Sequence, residues 1–351
     1  MPPDAQFGTA SIGTLPPLAQ ARSLGWWKVR VLLLGAGPLA KELSRALIQD
    51  HAASYEVVGC LDRSGERCGE SFGGTRIIGT FGQLFEAVER HRVGLLVVCL
   101  EDRRAALPVQ TLLDCKALGL SICDGHDLHE DLSGRFAIDL LKPSTLIFSD
   151  GFRRRVFAMS VKRAVDLLVS FVGLAAMAPL MAFVGMLIKL DTPGPVFYRQ
   201  TRVGMRGMPY RILKFRSMRQ DAESHGAALW AAADDPRISR VGRWLRKWRI
   251  DEIPQLINVL KGEMSLVGPR PERPVFVQDL RQTIPYYDLR HTVRPGITGW
   301  AQVRFRYAAS AQDAHVKLQY DLYYVKNLSF LLDLRVLTET IRVVLLGEGA
   351  R

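Results

Sequence analysis

Short apolar runs alternate with helical patterns in the first part of the chain. A run at 31–34 ends in a glycine turn, and helical spacing of apolar side chains begins at about Pro38. Three further runs have the length of buried strands: 55–61, 93–100 and 120–123. Strands that alternate with helices are typical of a parallel α/β sheet. The pattern therefore predicts an α/β domain over residues 28–150, preceded by a flexible tail over residues 1–27.

The glycine turn after the first strand has the spacing of a phosphate-binding loop. Gly35, Gly37 and Ala40 fit the pattern GxGxxG/A, in which glycines let backbone amides approach a phosphate at a helix N-terminus. Asp62 follows the second strand, where dinucleotide-binding folds carry a ribose-binding acid. We therefore predict a Rossmann-like domain with these four residues as candidate nucleotide ligands. The alternative is a turn that packs well and binds nothing.

The pattern changes at residues 167–188, which contain no charged side chain. A stretch of about 18 or more such residues is long enough to enter the core of a bilayer. Lys162 and Arg163 precede the segment and Lys189 follows it. Because basic flanks favour the cytoplasmic side, both ends are expected there, which a single crossing cannot satisfy. The alternative for this segment is the central helix of a soluble core.

Pro179 lies near the middle of the apolar segment, where it removes a helical hydrogen bond and kinks a helix. A re-entrant helical hairpin over about residues 162–190 satisfies both the proline and the basic flanks. An ordinary kinked spanning helix is the competing interpretation. Trp244 and Trp248 stand four residues apart among basic residues, a spacing that suits the headgroup layer of a membrane.

Composition and charge narrow the function classes. The 351 residues are 48% apolar and 23% charged, which excludes wholesale disorder. Lys and Arg total 47 against 35 Asp and Glu, so the net charge of +12 favours an anionic partner. Nucleic acid is disfavoured, because the basic residues are interleaved with an apolar segment rather than forming a polar stripe. The five cysteines show no ligand spacing and favour a reducing compartment.

Two adjacent carboxylates are the main candidate for chemistry. Asp251 and Glu252 stand just ahead of a helical pattern, with basic residues upstream at 246, 247 and 249. Such a carboxylate either caps the helix or stays ionised and acts as a nucleophile or metal ligand in phosphoryl transfer. Basic residues in loops rich in glycine and proline are the candidate phosphate contacts: Lys214, Arg216, Arg270, Arg273 and Arg294.

Residues from about 156 to 351 resemble the bacterial sugar transferase family, the monotopic phosphoglycosyl transferases. Several ordered motifs carry the resemblance: DTPGPVFYRQTRVG (191–204), KFRSM (214–218), RIDEIPQLINVLKGEMSLVGPRPERP (249–274), RPGITGWAQV (294–303) and YDLYYVKNLS (320–329). A Rossmann-like domain before this unit and the ending VVLLGEGAR resemble the exopolysaccharide-initiating glycosylphosphotransferase branch. The expected catalytic domain therefore covers residues 151–351, is mostly helical and is associated with the membrane.

The resemblance implies transfer of a sugar 1-phosphate from a UDP-sugar to undecaprenyl phosphate, with release of UMP. By that likeness Asp251 attacks the sugar-bearing phosphate, and Glu252 positions groups or manages protons and metal. Mg²⁺ is the implied cofactor, with Asp251 and Glu252 as its implied ligands. The implied phosphate contacts are Lys214, Arg216, Arg270 and Arg294, and Asp321 is a polar partner in the site. The implied location is the cytoplasmic face of the bacterial inner membrane, in contact with its lipids, and the implied assembly is a homodimer.

Two departures from the family pattern matter. The usual Ser-Pro of the membrane segment is Ala178-Pro179 here, so a hydroxyl that could satisfy backbone at a bend is missing. The bundle of transmembrane helices common in this branch is also lacking, so attachment is expected to rest on the hairpin and interfacial helices, or the chain is a shortened form. An NAD-dependent sugar-nucleotide enzyme and a non-catalytic membrane scaffold for polysaccharide assembly are the remaining alternatives.

Overall fold

The computed structural model describes residues 28–100, 107–140, 156–219, 237–305 and 311–345. The chain forms two compact units, residues 1–141 and 142–351. The predicted tail over 1–27 and the predicted domain boundary at 150 both lie outside the described residues, so the boundary stays a prediction.

The first unit contains a parallel sheet with helices in the crossover connections. Its elements are β1 (Val29–Leu34), α1 (Pro38–Gln49), β2 (Tyr55–Asp62), β3 (Ser71–Phe72), β4 (Thr75–Thr80), α2 (Leu84–Arg90), β5 (Leu95–Val98), α3 (Val109–Ala117), β6 (Ser121–Asp124) and α4 (Gly125–Ser133). The strand order is β3-β4-β2-β1-β5-β6, and every pair is parallel except β3 with β4. The predicted parallel α/β sheet is confirmed.

The glycine turn joins β1 to α1 as its spacing predicts. Gly35 has a φ of +108°, and a Cβ there would lie 2.9 Å from the Leu100 side chain and 3.1 Å from the Cys99 carbonyl oxygen. Gly37 is the N-cap of α1, which begins at Pro38, and Ala40 is fully buried against the sheet. Close packing therefore accounts for Gly35 and Ala40 without a ligand.

The second unit is mainly helical and has two small sheets. Its elements are α5 (Val156–Asp191), β7 (Phe197–Val203), β8 (Pro209–Phe215), α6 (Arg240–Lys247), α7 (Gln255–Lys261), β9 (Ser265–Val267), α8 (Pro274–Thr283), β10 (Gly296–Thr298), α9 (Trp300–Arg304), α10 (Ala311–Lys326) and α11 (Phe330–Leu345). β7 and β8 form an antiparallel hairpin, and β9 and β10 form a parallel pair.

Helix α5 carries the apolar segment and has the length and composition to cross a membrane. It runs as one helix through Pro179, so the predicted hairpin is not confirmed. Only 11% of its most apolar window is buried. Its exposed faces carry large apolar side chains, such as Phe157, Phe171 and Leu190, which are 83%, 66% and 77% exposed. The interpretation of this segment as the central helix of a soluble core is therefore wrong.

One stripe of α5 packs on the globular part of its own unit at both ends. Near the beginning, the Asp166 carboxylate accepts a hydrogen bond from the Leu266 backbone amide at 3.1 Å. Near the end, Val184 and Ile188 are buried against Phe215 and Leu245. The helix therefore lies along its domain instead of leading away from it.

Candidate active site

The two candidate carboxylates lie in a single 3₁₀ turn, residues Ile250–Glu252. The turn is preceded by Arg249 with a φ of +52°, a left-handed conformation that is uncommon outside glycine. Asp251 and Glu252 are only 8% and 7% exposed. The N-cap of the following helix α7 is Pro254, and no side chain caps it. The alternative that Asp251 serves as a helix cap is therefore wrong.

Three cations surround the Glu252 carboxylate. Lys214 Nζ lies 2.8 Å from Oε1, Arg270 Nη2 lies 3.1 Å from Oε1, and Arg249 Nη1 lies 3.7 Å from Oε2. Burial acts to raise the pKa of Glu252, but these cations outweigh it and hold the pKa well below its usual range. Glu252 is therefore a fixed anion that holds two basic side chains, Lys214 and Arg270, beside Asp251.

Asp251 is in a different electrostatic position. Among the residues that the structure describes, its carboxylate accepts no hydrogen bond and forms no ion pair. Burial, reinforced by the negative charge of Glu252, raises the pKa of Asp251 above its usual value, although Lys214, Arg246 and Arg270 oppose the shift. A carboxylate with raised basicity and no hydrogen bond is a better nucleophile than one already bound to cations.

Asn258 explains how the hairpin presents Lys214 to the site. Its side-chain oxygen accepts from the Leu213 amide at 2.9 Å, and its side-chain nitrogen donates to the Arg211 carbonyl at 2.8 Å. The buried side-chain amide of Asn258 thus satisfies the Leu213 amide and the Arg211 carbonyl at the edge of β8, as a neighbouring strand would. These two bonds fix α7 to the strand. They therefore also fix the distance between Lys214 and the turn that holds Glu252.

The backbone of Arg270 contacts a second buried ion pair, which Arg290 and Asp321 form. The Arg290 guanidinium donates to the Arg270 carbonyl at 2.9 Å and pairs with Asp321 on α10 at 2.7 Å. Both partners of that pair are almost fully buried, and burial raises the pKa of Asp321 despite Arg290. Among the described residues, the predicted polar partner Asp321 is therefore connected to the Asp251–Glu252 dyad through Arg290 and Arg270.

Two predicted phosphate contacts are engaged elsewhere. The Arg216 guanidinium donates to the carbonyl of Thr192 at 2.7 Å and of Pro193 at 2.9 Å, just past the end of α5. Arg294 donates through Nε to the Gly262 carbonyl at 2.9 Å. Neither has a contact with the dyad within the described ranges. The structure thus brings Lys214 and Arg270 to the dyad, and gives Arg216 and Arg294 bonds to backbone carbonyls.

The candidate nucleotide ligand of the first unit already has a basic partner. Arg67 Nη1 lies 3.5 Å from the Asp62 carboxylate and 3.4 Å from the Ala36 carbonyl in the glycine turn. Asp62 also accepts a hydrogen bond from the Arg63 amide at 2.8 Å. Nucleotide binding by Gly35, Gly37, Ala40 and Asp62 stays a prediction.

The charges around Asp251 and Glu252 determine which of the two carboxylates could bind the predicted Mg²⁺. No group of three or more His, Cys, Asp or Glu side chains that could hold an ion occurs in the described part of the chain. Both oxygens of Glu252 face cations, whereas Asp251 accepts no bond from any described residue. Mg²⁺ typically binds one or two carboxylates together with substrate phosphates. Of the two predicted Mg²⁺ ligands, only Asp251 fits the ion among the described residues, and Mg²⁺ binding stays a prediction.

Arg290 is a site residue that sequence reasoning missed. It is separated from Arg270 by twenty positions and stands in a stretch with no motif signal of its own. Arg249 was counted as a nearby positive charge, but its left-handed backbone was not foreseen. No spacing rule identifies either feature, since both depend on which loops meet in the folded chain.

Comparison with known proteins agrees with this geometry. The family model "Bacterial sugar transferase" matches residues 157–347, more than half of the chain. The chain belongs to the bacterial sugar transferase family. The resemblance seen in the motifs is thereby confirmed, and the matched region includes α5, the dyad and the Arg290–Asp321 pair.

Relatives extend the similarity beyond the matched region. A UDP-N-acetylgalactosamine-undecaprenyl-phosphate N-acetylgalactosaminephosphotransferase of Aeromonas hydrophila is 45% identical over 68% of this chain and 56% of its own length. An undecaprenyl-phosphate glucose phosphotransferase of Komagataeibacter xylinus is 32% identical over 92% of this chain and 60% of its own length. The chain thus spans little more than half the length of these sugar transferases.

Proposed function

We propose that this sugar transferase moves a sugar 1-phosphate from a UDP-sugar to undecaprenyl phosphate at a membrane surface, releasing UMP, as the initiating step of exopolysaccharide biosynthesis. One observation carries the proposal. Asp251 is a buried carboxylate without a hydrogen-bond partner among the described residues, and it stands beside an anion, Glu252, that holds Lys214 and Arg270 in place. This arrangement supplies a nucleophile and two phosphate-binding cations in one site.

The first step is attack of an Asp251 oxygen on the phosphorus that carries the sugar. A bond forms between Asp251 and that phosphorus, and the bond from the phosphorus to the oxygen bridging to UMP breaks. UMP leaves with the electron pair. Lys214 and Arg270 neutralise the charge that grows on the phosphoryl oxygens, which is the main contribution a protein makes to phosphoryl transfer.

The second step regenerates the enzyme. An oxygen of the lipid phosphate attacks the phosphorus of the Asp251 adduct, and the bond to the carboxylate breaks. The product is a lipid diphosphate carrying the sugar. Asp251 would be the protein ligand of a Mg²⁺ ion, which would neutralise charge on the diphosphate of the donor.

The acceptor explains why the site must lie at the membrane. Each buried CH₂ of a lipid contributes about 0.8 kcal/mol, so a polyprenyl chain cannot leave the bilayer at an acceptable cost. Exposed apolar faces of α5, together with Trp244 and Trp248, which are 44% and 43% exposed among basic residues, supply the attachment. The cytoplasmic face of the inner membrane is where a soluble UDP-sugar meets this lipid, and a homodimer remains an expectation of the family resemblance.

The packing of α5 supports attachment from one side. Arg163 donates to the Val259 carbonyl, and the Ile188 carbonyl accepts from Arg216, so both ends of the helix touch the same unit. These points are separated by about 37 Å at about 1.5 Å per residue, more than the roughly 30 Å hydrocarbon core. If the helix crossed the bilayer, its two ends would lie on opposite sides, and the folded part of the same unit that contacts both ends would have to lie within the hydrocarbon core. A helix that lies shallowly, or dips in and returns at Pro179, keeps that folded part and its polar contacts with α5 at the interface.

Cysteine labelling tests the attachment. In a cysteine-free background, Val161→Cys and Leu190→Cys place single thiols at exposed positions near the two ends of α5. Both are expected to react with a membrane-impermeant maleimide only in inside-out vesicles. Reaction of the two thiols from opposite faces of the membrane would establish a spanning helix and end the one-sided model.

Nucleotide release from a panel of UDP-sugars tests the reaction. The panel includes UDP-N-acetylgalactosamine and UDP-glucose, the donors suggested by the relatives, with undecaprenyl phosphate, Mg²⁺ and detergent-solubilised protein. UMP is expected from at least one donor. Release of UDP would mean direct glycosyl transfer and exclude the Asp251 adduct, and no release from folded protein would favour the scaffold alternative.

A further inference from the structure

Lys317 is a basic residue near the proposed site that none of the assigned roles uses. It lies on α10, one helical turn before Asp321. Side chains at i and i+4 share a face of a helix, so α10 directs Lys317 toward the same buried region as Asp321. The charged groups that act on it are Glu272, Arg270, Asp321 and Arg290.

This region is connected to the dyad by a continuous chain of contacts. Asp321 pairs with Arg290 at 2.7 Å, Arg290 donates to the Arg270 carbonyl at 2.9 Å, and Arg270 lies 3.1 Å from Glu252. Lys317 is carried by α10, and Lys214 is carried by β8. Arg290 and Arg270 thus connect the face of α10 that carries Lys317 to the dyad.

The ammonium group of Lys317 has no partner within the described residues, and the side chain is half-buried. Two other half-buried lysines of this unit are paired: Lys162 with Asp333 at 2.6 Å and Lys214 with Glu252 at 2.8 Å. A partly buried ammonium without an ion pair loses hydration without compensation, which favours an anionic ligand. Burial accordingly lowers the pKa of Lys317.

The nearby carboxylates are already paired with other cations. Asp321 is bound to Arg290, and Glu272 lies 3.7 Å from Arg202. Counting Lys317, Arg270 and the Glu252 carboxylate that pairs with Arg270, this cluster has four cations against three carboxylates. An excess of positive charge next to a nucleophile matches a substrate that carries phosphates.

We propose that Lys317 binds a phosphoryl oxygen of a substrate of this site. The inference rests on the proposed function for the identity of that substrate. The oxygen belongs either to the nucleotide phosphate of the UDP-sugar or to the phosphate of undecaprenyl phosphate. Both are phosphate esters. They react in different half-reactions, so measurements of each half-reaction distinguish them.

The test compares Lys317→Met and Lys317→Arg with wild type and with Lys326→Met, a control at the far end of the same helix. In a two-step exchange, kcat/KM for the donor reports only the first step, and kcat/KM for the lipid reports only the second. Loss of a charge-assisted hydrogen bond is expected to lower one of the two by roughly 10- to 100-fold and leave the other nearly unchanged. Arginine is expected to restore part of the loss, and the thermal midpoint of Lys317→Met is expected to equal or exceed that of wild type.

Calorimetric titration with UMP, and separately with undecaprenyl phosphate in detergent, gives a readout besides turnover. Weaker UMP binding in Lys317→Met assigns the residue to the nucleotide, and weaker lipid binding assigns it to the acceptor. Unchanged values for both ligands, or losses in both kcat/KM values together with a lower thermal midpoint, would overturn the inference. If wild type turns over no donor, the proposed reaction fails, and the two titrations alone decide the role of Lys317.

Discussion

Replacing Asp251 by asparagine is expected to reduce UMP release by about four orders of magnitude or more, as the loss of an enzymatic nucleophile does. The side chain keeps its shape but cannot form the bond to phosphorus. Without acceptor lipid, wild-type protein incubated with a donor is expected to gain the mass of one sugar phosphate. Intact-mass spectrometry of wild type and Asp251→Asn measures this directly, and the variant is expected to gain nothing.

The same substitution is expected to leave stability unchanged or to increase it. Burial raises the pKa of Asp251, so ionisation of this carboxyl opposes folding, and a neutral amide removes that opposition. Glu252→Gln is the informative contrast, because it leaves Lys214, Arg270 and Arg249 without their shared anion and is expected to lower the thermal midpoint. Activity retained in Asp251→Asn, or an adduct on another residue, would disprove the nucleophile assignment.

The parts of this molecule that sequence could predict are those with local signals. The apolar runs of the first unit predicted a parallel sheet because a buried strand needs little beyond its own composition. The dyad was found because adjacent carboxylates, basic neighbours and a helix start all lie within a few residues of one another. The uncharged length of α5 likewise identified a segment suited to lipid.

Side-chain partners were much harder to predict, because they depend on approaches between distant loops. Arg294 stands beside proline and glycine as Arg270 does, and Arg216 lies in the KFRSM motif. In the structure, however, Arg216 donates to the Thr192 carbonyl just past α5, and Arg294 donates to the Gly262 carbonyl. Composition does not distinguish an arginine that donates to a buried carbonyl from one that is available to bind a phosphate. The distinction appears only when the nearest acceptor is known.

Substitution of Gly296 by alanine is expected to be severely damaging, although the residue lies outside the dyad. β9 and β10 approach so closely that a Cβ on Gly296 would lie 2.1 Å from the Gly268 nitrogen and 2.3 Å from the Thr298 carbonyl oxygen. These are backbone atoms of the bonded pair itself, since the Gly268 amide donates to the Thr298 carbonyl at 2.9 Å. A rotamer change cannot relieve such overlap, so the two strands must separate.

Separation of the strands would move Arg270, which follows Gly268 by two residues, away from Glu252. We therefore expect Gly296→Ala to lose roughly 3 kcal/mol or more of unfolding free energy, as backbone overlap in a core does, together with most UMP release. Gly82→Ala is the matched control, because the nearest atom to a Cβ there is 3.9 Å away, and a change within about 0.5 kcal/mol is expected. Urea unfolding and donor turnover of both variants make the comparison. A Gly296→Ala protein with wild-type stability and turnover would show that the β9–β10 contact does not position Arg270.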